Sequence, residues 1–117
     1  MAKTVKLKAY QRGHRAEWLA AVMLMLKGYR IEARRYKTPV GEIDLIMRRG
    51  NLICFIEVKA RATREDGLYA VHPAQQQRIR RAAEWWQAQG QKSALLDYRF
   101  DLMVVSAWRC THITHAF

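Results

Sequence analysis

Cysteine is nearly missing from this chain: Cys54 and Cys110 are the only two, far apart and in no C-x-x-C pair. That excludes a disulfide framework and a cysteine-rich zinc site, and it makes a reducing, cytoplasmic setting the default. Proline is equally scarce, at Pro39 and Pro73, and only six glycines occur, so there is no low-complexity or linker-like tract. No apolar run reaches membrane-spanning length. The nine residues 18–26, WLAAVMLML, fall well short of the roughly 20 that a spanning helix needs. They follow a basic N-terminus as the core of an export signal would. Glu17 abuts them, however, and no small-x-small cleavage site directly follows, so a core helix is the better reading. Acid is the last shortage: ten Asp and Glu face 21 Lys and Arg, a formal charge of +11. Such a surplus fits a polyanionic partner, nucleic acid ahead of an anionic membrane surface, with solubility alone as the plain alternative.

What is present reads as one domain, since 117 residues can bury roughly two thirds of their unfolded surface in a single core. Residues 1–11, with Lys3, Lys6 and Lys8, read as a frayed basic arm, and 12–117 as the domain. Residues 13–27 read as a helix with Ala16, Leu19, Ala20, Met23 and Leu26 as its buried stripe and Gly28 as its stop. Residues 29–36 read as a strand with Tyr29, Ile31 and Ala33 on one side. The segments 43–49 and 52–59 are strands around Gly50-Asn51, a short hairpin signal. Residues 61–71 read as a polar loop. A second helix starts at Pro73 and runs to about Gln89 before Gly90, with Ile79, Ala82, Ala83 and Trp86 inward. Residues 100–107 form a long strand and 113–117 a short edge. The order helix, three strands, helix, strand predicts an α/β sandwich about a mixed sheet.

The central hairpin carries the chemistry. If Gly50 and Asn51 form a two-residue turn, Arg49 pairs with Leu52 and Asp44 falls opposite Glu57 on one face, Cβ atoms about 4.5–5.5 Å apart. Lys59, two residues beyond Glu57, shares that face. A one-residue slip would separate the carboxylates. Carboxylates that close repel by roughly 3 kcal/mol at an effective dielectric of 20, so the pair must bind a proton, recruit a cation or hold a metal. Oxygen ligands favour Mg²⁺ or Mn²⁺, which could polarise a phosphoryl oxygen and acidify a bound water. Lys59 could orient that water or neutralise charge growing on the phosphate. The structural alternative is an ion pair of Lys59 with Glu57 or with Glu42.

These residues resemble a known pattern. EID in one strand and EVK in the next look like the PD-(D/E)XK nuclease superfamily. The ordered series GHRAEWLAAVMLMLKGYRI, GEIDLI, FIEVKAR, QRIRRAA, YRFDLMVVS and HAF more closely resembles the YraN family of small bacterial proteins. The resemblance implies a restriction endonuclease-like three-layer sandwich and a metal-dependent nuclease acting on DNA, with branched DNA a plausible substrate by analogy to archaeal Holliday-junction resolvases. It also implies roles. Asp44 and Glu57 would hold the metal, Glu17 of the first helix would assist directly or through water, and Lys59 would be the catalytic lysine. Family members often carry a lysine early in the second helix, where this chain has Gln75, an uncharged support. The alternative is a non-catalytic nucleic-acid-binding protein with a vestigial site. A homodimer is compatible with either reading.

Other residues carry less. Arg34, Arg35, Arg48, Arg49, Arg61, Arg64, Arg78 and Arg81 could together line a phosphate-tracking surface, though each singly is more often a solvated charge. Trp86 fits the core stripe, and plain packing is the favoured reading of Trp85. His112 and His115 have poor spacing for metal ligands. Asp101 reads as the partner of an arginine, and Cys54 as packing on the face away from Glu57.

Overall fold

The computed structural model describes residues 2–89 and 95–117, with side chains from residue 13 onward. Along the chain run α1 (Ala2–Leu26), β1 (Arg30–Thr38), β2 (Gly41–Arg49), β3 (Leu52–Ala60), α2 (Arg64–Ala70), α3 (Pro73–Gln89), β4 (Asp97–Ser106) and β5 (Arg109–Ile113). The strands lie side by side in sequence order in one sheet. Only β3 and β4 are parallel, joined by the crossover through α2 and α3. Gly50 takes the left-handed conformation (φ 62°) that favours glycine at a tight turn. Arg49 then pairs with Leu52 and Leu45 with Ile56, the register that the two-residue turn predicts.

Alternation along the inner strands feeds two cores, as a sheet covered on both faces requires. Beneath α1, residues Ala16, Ala20, Ala21 and Leu24 pack on Leu45, Met47, Cys54, Ile56, Met103 and Val105. Beneath α3, residues Ile79, Ala82 and Ala83 pack on Ile43, Ile46, Ile53 and Phe55, with Trp86 partly buried beside them. On that same side α2 covers Leu102 and Val104. This is the restriction endonuclease-like three-layer sandwich, helix, sheet, helices. Cys54 and Trp86 pack as their patterns predict.

Several expectations need correction. The backbone of α1 is helical from Ala2, so the segment expected as an arm continues the helix. Lys, Leu, Ala, Gln and Arg dominate it, and all are good helix formers. Its side chains, including Lys3, Lys6 and Lys8, lie outside the described residues, as does Gly90. Leu26, expected in the stripe, is 80% exposed. Residues 18–26 are apolar all round, so spacing alone leaves the buried face open. The sheet takes the alanine-rich face at Ala16, Ala20 and Ala21, with Leu24 beside it, which permits a close approach. In β1 a register shift between Ile31 and Ala33 puts Ile31 under α1 and Ala33 under α3, so they do not share a side. Residues 64–70, expected as loop, form α2, capped by Thr63, whose side chain accepts the Asp66 N–H. The last strand ends at Ile113 rather than starting there.

Candidate active site

Asp44 owes its position to a local change of face. Arg34 pairs with Leu45 and Tyr36 with Ile43. Leu45 lies under α1 while Ile43 lies under α3, although simple alternation would put both on one face. The switch falls at Asp44 and at the residue across from it, Arg35, whose φ is 50°. Such a distortion re-aims the intervening side chain. The Asp44 carboxylate accordingly approaches β3 in the plane of the sheet, where Oδ2 accepts the Val58 N–H at 2.8 Å. The expected register holds from Arg49–Leu52 to Leu45–Ile56, but Asp44 does not pair with Glu57 across the ladder and instead turns to the Val58 N–H, which corrects the expected face-to-face placement.

Glu57 is fixed by strict alternation in β3. It pairs with Leu102 across the parallel ladder, which turns it toward the α2 side, and it is only 6% exposed. Burial first, and then the Asp44 carboxyl within hydrogen-bonding reach, push the Glu57 carboxyl well above the usual carboxylate range, while Lys59 acts in the opposite direction and is outweighed. Lys59 lies on the same face, its Nζ 3.7 Å from Glu57 Oε1, an ion pair too long to be a hydrogen bond. Glu57 is thus a buried carboxyl beside a second carboxyl, with one cation nearby. The alternative partner for Lys59 was Glu42, which is exposed.

The remaining expected residues are less tightly gathered. Glu17 accepts a hydrogen bond from Arg35 Nε at 2.8 Å, so it is held one strand away from Asp44 by the residue at which β1 switches face. Among the described residues no three His, Cys, Asp or Glu side chains converge on one point. A hard divalent ion at Asp44 and Glu57 would therefore complete its shell with water, carbonyl or substrate oxygens. Gln75 is half-buried in the first turn of α3. The arginines fall into separate groups. Arg34 stacks on the Trp18 ring at 3.9 Å and Arg49 on Tyr29 at 4.4 Å. Arg48 donates to the Gly50 carbonyl and Arg61 to the Ala60 carbonyl, while Arg64, Arg78 and Arg81 are exposed. Arg48 and Arg49 stand at one end of β3 and Arg61 and Arg64 at the other, roughly 30 Å apart at strand rise. The second group follows Lys59 along the chain.

A second charged cluster was read only in part. Asp101 is fully buried on the α1 side. It accepts two bonds from Arg99 (Nε to Oδ1, Nη2 to Oδ2, 2.8 Å each), meets His112 Nε2 at 2.8 Å and accepts the His115 N–H at 3.2 Å. Arg99 also donates to the Tyr29 hydroxyl. Burial alone would raise the Asp101 carboxyl, but the hydrogen bonds and charges of His112 and Arg99 outweigh it and hold the group down to about 2. Arg99 lies two residues before Asp101 on one strand face, a spacing visible in sequence. His112 arrives across the β4–β5 pairing, next to Met103, and nothing local announces it.

Comparison with known proteins places this architecture. A family profile described as uncharacterised protein family UPF0102 matches residues 16–105, which span Glu17, Asp44, Glu57, Lys59 and Gln75. A UPF0102 protein of Mesorhizobium japonicum is 50% identical over 94% of this chain and 89% of its own length. One from Rhizobium meliloti is 50% identical over 97% and 94%, and one from Bartonella bacilliformis 48% identical over 100% and 96%. With the profile spanning the sandwich and such relatives matching nearly end to end, the chain belongs to the UPF0102 family, the YraN-like group its motifs resemble.

Proposed function

We propose that this protein is a metal-dependent nuclease that hydrolyses DNA phosphodiesters, acting in the reducing cytosol, where Cys54 and Cys110 remain free thiols. One observation carries the reading: a buried carboxyl, Glu57, pushed above the usual carboxylate range by its burial and by the Asp44 carboxyl within hydrogen-bonding reach, with Lys59 beside it. A fold gains no stability from burying such a pair, whereas a Mg²⁺ or Mn²⁺ ion displacing the proton would turn the repulsion into ligation. Asp44 and Glu57 would hold the ion, which when bound polarises a phosphoryl oxygen. Lys59 would face the attacking water or the scissile phosphate. Glu17 would assist through its second oxygen or by leaving Arg35, and Gln75 would offer a neutral hydrogen-bonding group at the mouth.

Calorimetry with Mn²⁺ tests this directly. The informative variant is Asp44→Asn, whose side-chain carbonyl can still accept the Val58 N–H while the charge is gone. Binding by the wild type and at least tenfold weaker binding by the variant is expected; equal binding by both overturns the site. Labelled duplex, single-stranded and branched DNA incubated with Mg²⁺ or EDTA then separates hydrolysis from binding. Cleavage that survives Asp44→Asn belongs to a contaminant. One observation favours a second reading, a DNA-binding protein with a vestigial site: the Glu17 carboxylate is occupied by Arg35. On that reading DNA is retained in EDTA and Mg²⁺ alike, and no strand is cut.

A further inference from the structure

Across β3, β4 and β5 one row of paired residues runs Lys59, Val104, Thr111. Paired positions project to one face, and Val104 is covered by α2 on that face. Beyond this row, where the parallel strands end, lies a cavity of about 370 Å³ with Val104 at its floor and Thr63, Arg64, Ser106, Arg109 and Thr111 around it. Two guanidiniums and three hydroxyls form its polar lining, and among the described residues no carboxylate lines it. Nor is either guanidinium engaged in an ion pair among those residues, in contrast to Arg35 and Arg99. The Thr63 oxygen accepts the Asp66 N–H, which leaves its proton to donate outward. A concave group of donors with uncompensated positive charge is chemistry suited to a tetrahedral oxyanion, and paired arginines suit phosphate in particular.

The location narrows the source. Thr111 stands two strand spacings from Lys59, about 10 Å, on the same face, in the row whose middle residue, Val104, lies beneath α2. We propose that this cavity holds a backbone phosphate of the bound nucleic acid next to the one at Lys59, and so sets the direction in which the strand crosses the carboxylate pair. The assignment rests on the nuclease reading for the identity of its neighbour, but its own evidence lies in residues outside the carboxylate site. Arg109, Thr63, Ser106 and Thr111 thereby gain a binding role, and Arg64 a specific place.

The test measures binding in EDTA, so that it does not depend on hydrolysis. Fluorescence anisotropy of labelled duplex and single-stranded oligonucleotides is recorded from 50 to 200 mM salt for the wild type, for Arg64→Ala with Arg109→Ala, and for Arg30→Ala with Lys37→Ala on the opposite edge strand. Thermal melting establishes that each variant is folded. The cavity pair should bind at least about tenfold more weakly, with a salt dependence shallower by between one and two charges, and the edge-strand pair should lose less on both counts. Arg64→Lys with Arg109→Lys should restore the slope but only part of the affinity, since lysine lacks the planar fork. Inorganic phosphate, titrated by amide chemical shifts, should move the amides of Thr63, Ser106 and Thr111 in the wild type and not in the alanine pair. Affinity and slope unchanged in the alanine pair overturn the assignment while leaving hydrolysis at Asp44 and Glu57 standing. Equal loss in the edge-strand pair, or phosphate shifts without any effect on oligonucleotide binding, also overturns it. Weakened binding in the alanine pair beside a wild type that neither binds Mn²⁺ nor cuts DNA supports the subsite and removes the nuclease reading.

Discussion

Glu57 makes the sharpest residue-scale prediction. Its carboxyl holds a proton more tightly in the folded chain than in the unfolded one, so the linked stability is full below the ordinary carboxylate range. It is lost as pH climbs toward neutrality and beyond. Glu57→Gln should therefore stabilise the metal-free protein at alkaline pH by about 1–3 kcal/mol, read as a raised urea midpoint. A metal must displace the same proton, so Mn²⁺ affinity should rise about tenfold per pH unit while Glu57 is protonated. That slope should vanish in Glu57→Gln along with most of the binding. Asp101 has the opposite sign. Its folded value, about 2, lies below that of the unfolded chain, so its contribution is present above about pH 4 and fades as pH falls through 2. Asp101→Asn should cost about 3–5 kcal/mol at neutral pH, because Arg99 is left without its carboxylate. At this scale Asp44, Glu57 and Lys59 were legible because Gly50-Asn51 and the apolar alternation fix one register. The raised Glu57 carboxyl was less so, since it depends on burial and on a neighbouring Asp44 carboxyl that only the packed chain supplies.

Elements were legible where pattern and punctuation agree, and obscure where a close approach sets the geometry. The second helix could be read to within a residue from Pro73 and the stripe Ile79, Ala82, Ala83 and Trp86. The short helix α2 could not, because its seven residues carry almost no periodicity and its seat depends on a missing side chain. A Cβ at Gly67 would collide with both methyl groups of Val104. Gly67→Ala should therefore destabilise the chain by about 1–3 kcal/mol and lower amide protection in α2 while the sheet retains its own, as hydrogen exchange would show. Gly41 has a similar duty at the start of β2, where a Cβ would strike the Arg78 carbonyl oxygen of α3. The shift between Ile31 and Ala33 and the face switch at Arg35 stayed hidden because an extra residue in a ladder leaves composition unchanged.

At the scale of the whole molecule, charge and architecture have separate consequences. A formal +11 predicts binding of duplex DNA that weakens about a hundredfold between 50 and 200 mM salt if four phosphates are engaged, and a flat dependence would count against a phosphate-led interface. Among the described residues no helix is long and apolar enough to cross a membrane, as the nine-residue apolar run implied. The sheet itself limits how copies can meet. One margin, β5, offers five residues; the other, β1, is broken by its register shift and by the left-handed Arg35, and turns Arg30, Glu32, Arg34 and Lys37 to solvent. Both rims discourage a visiting strand, so neighbouring molecules should not zip into a shared ribbon. Two cuts on opposite strands of one duplex would then call for a pair assembled helix against helix, or held together by the DNA alone.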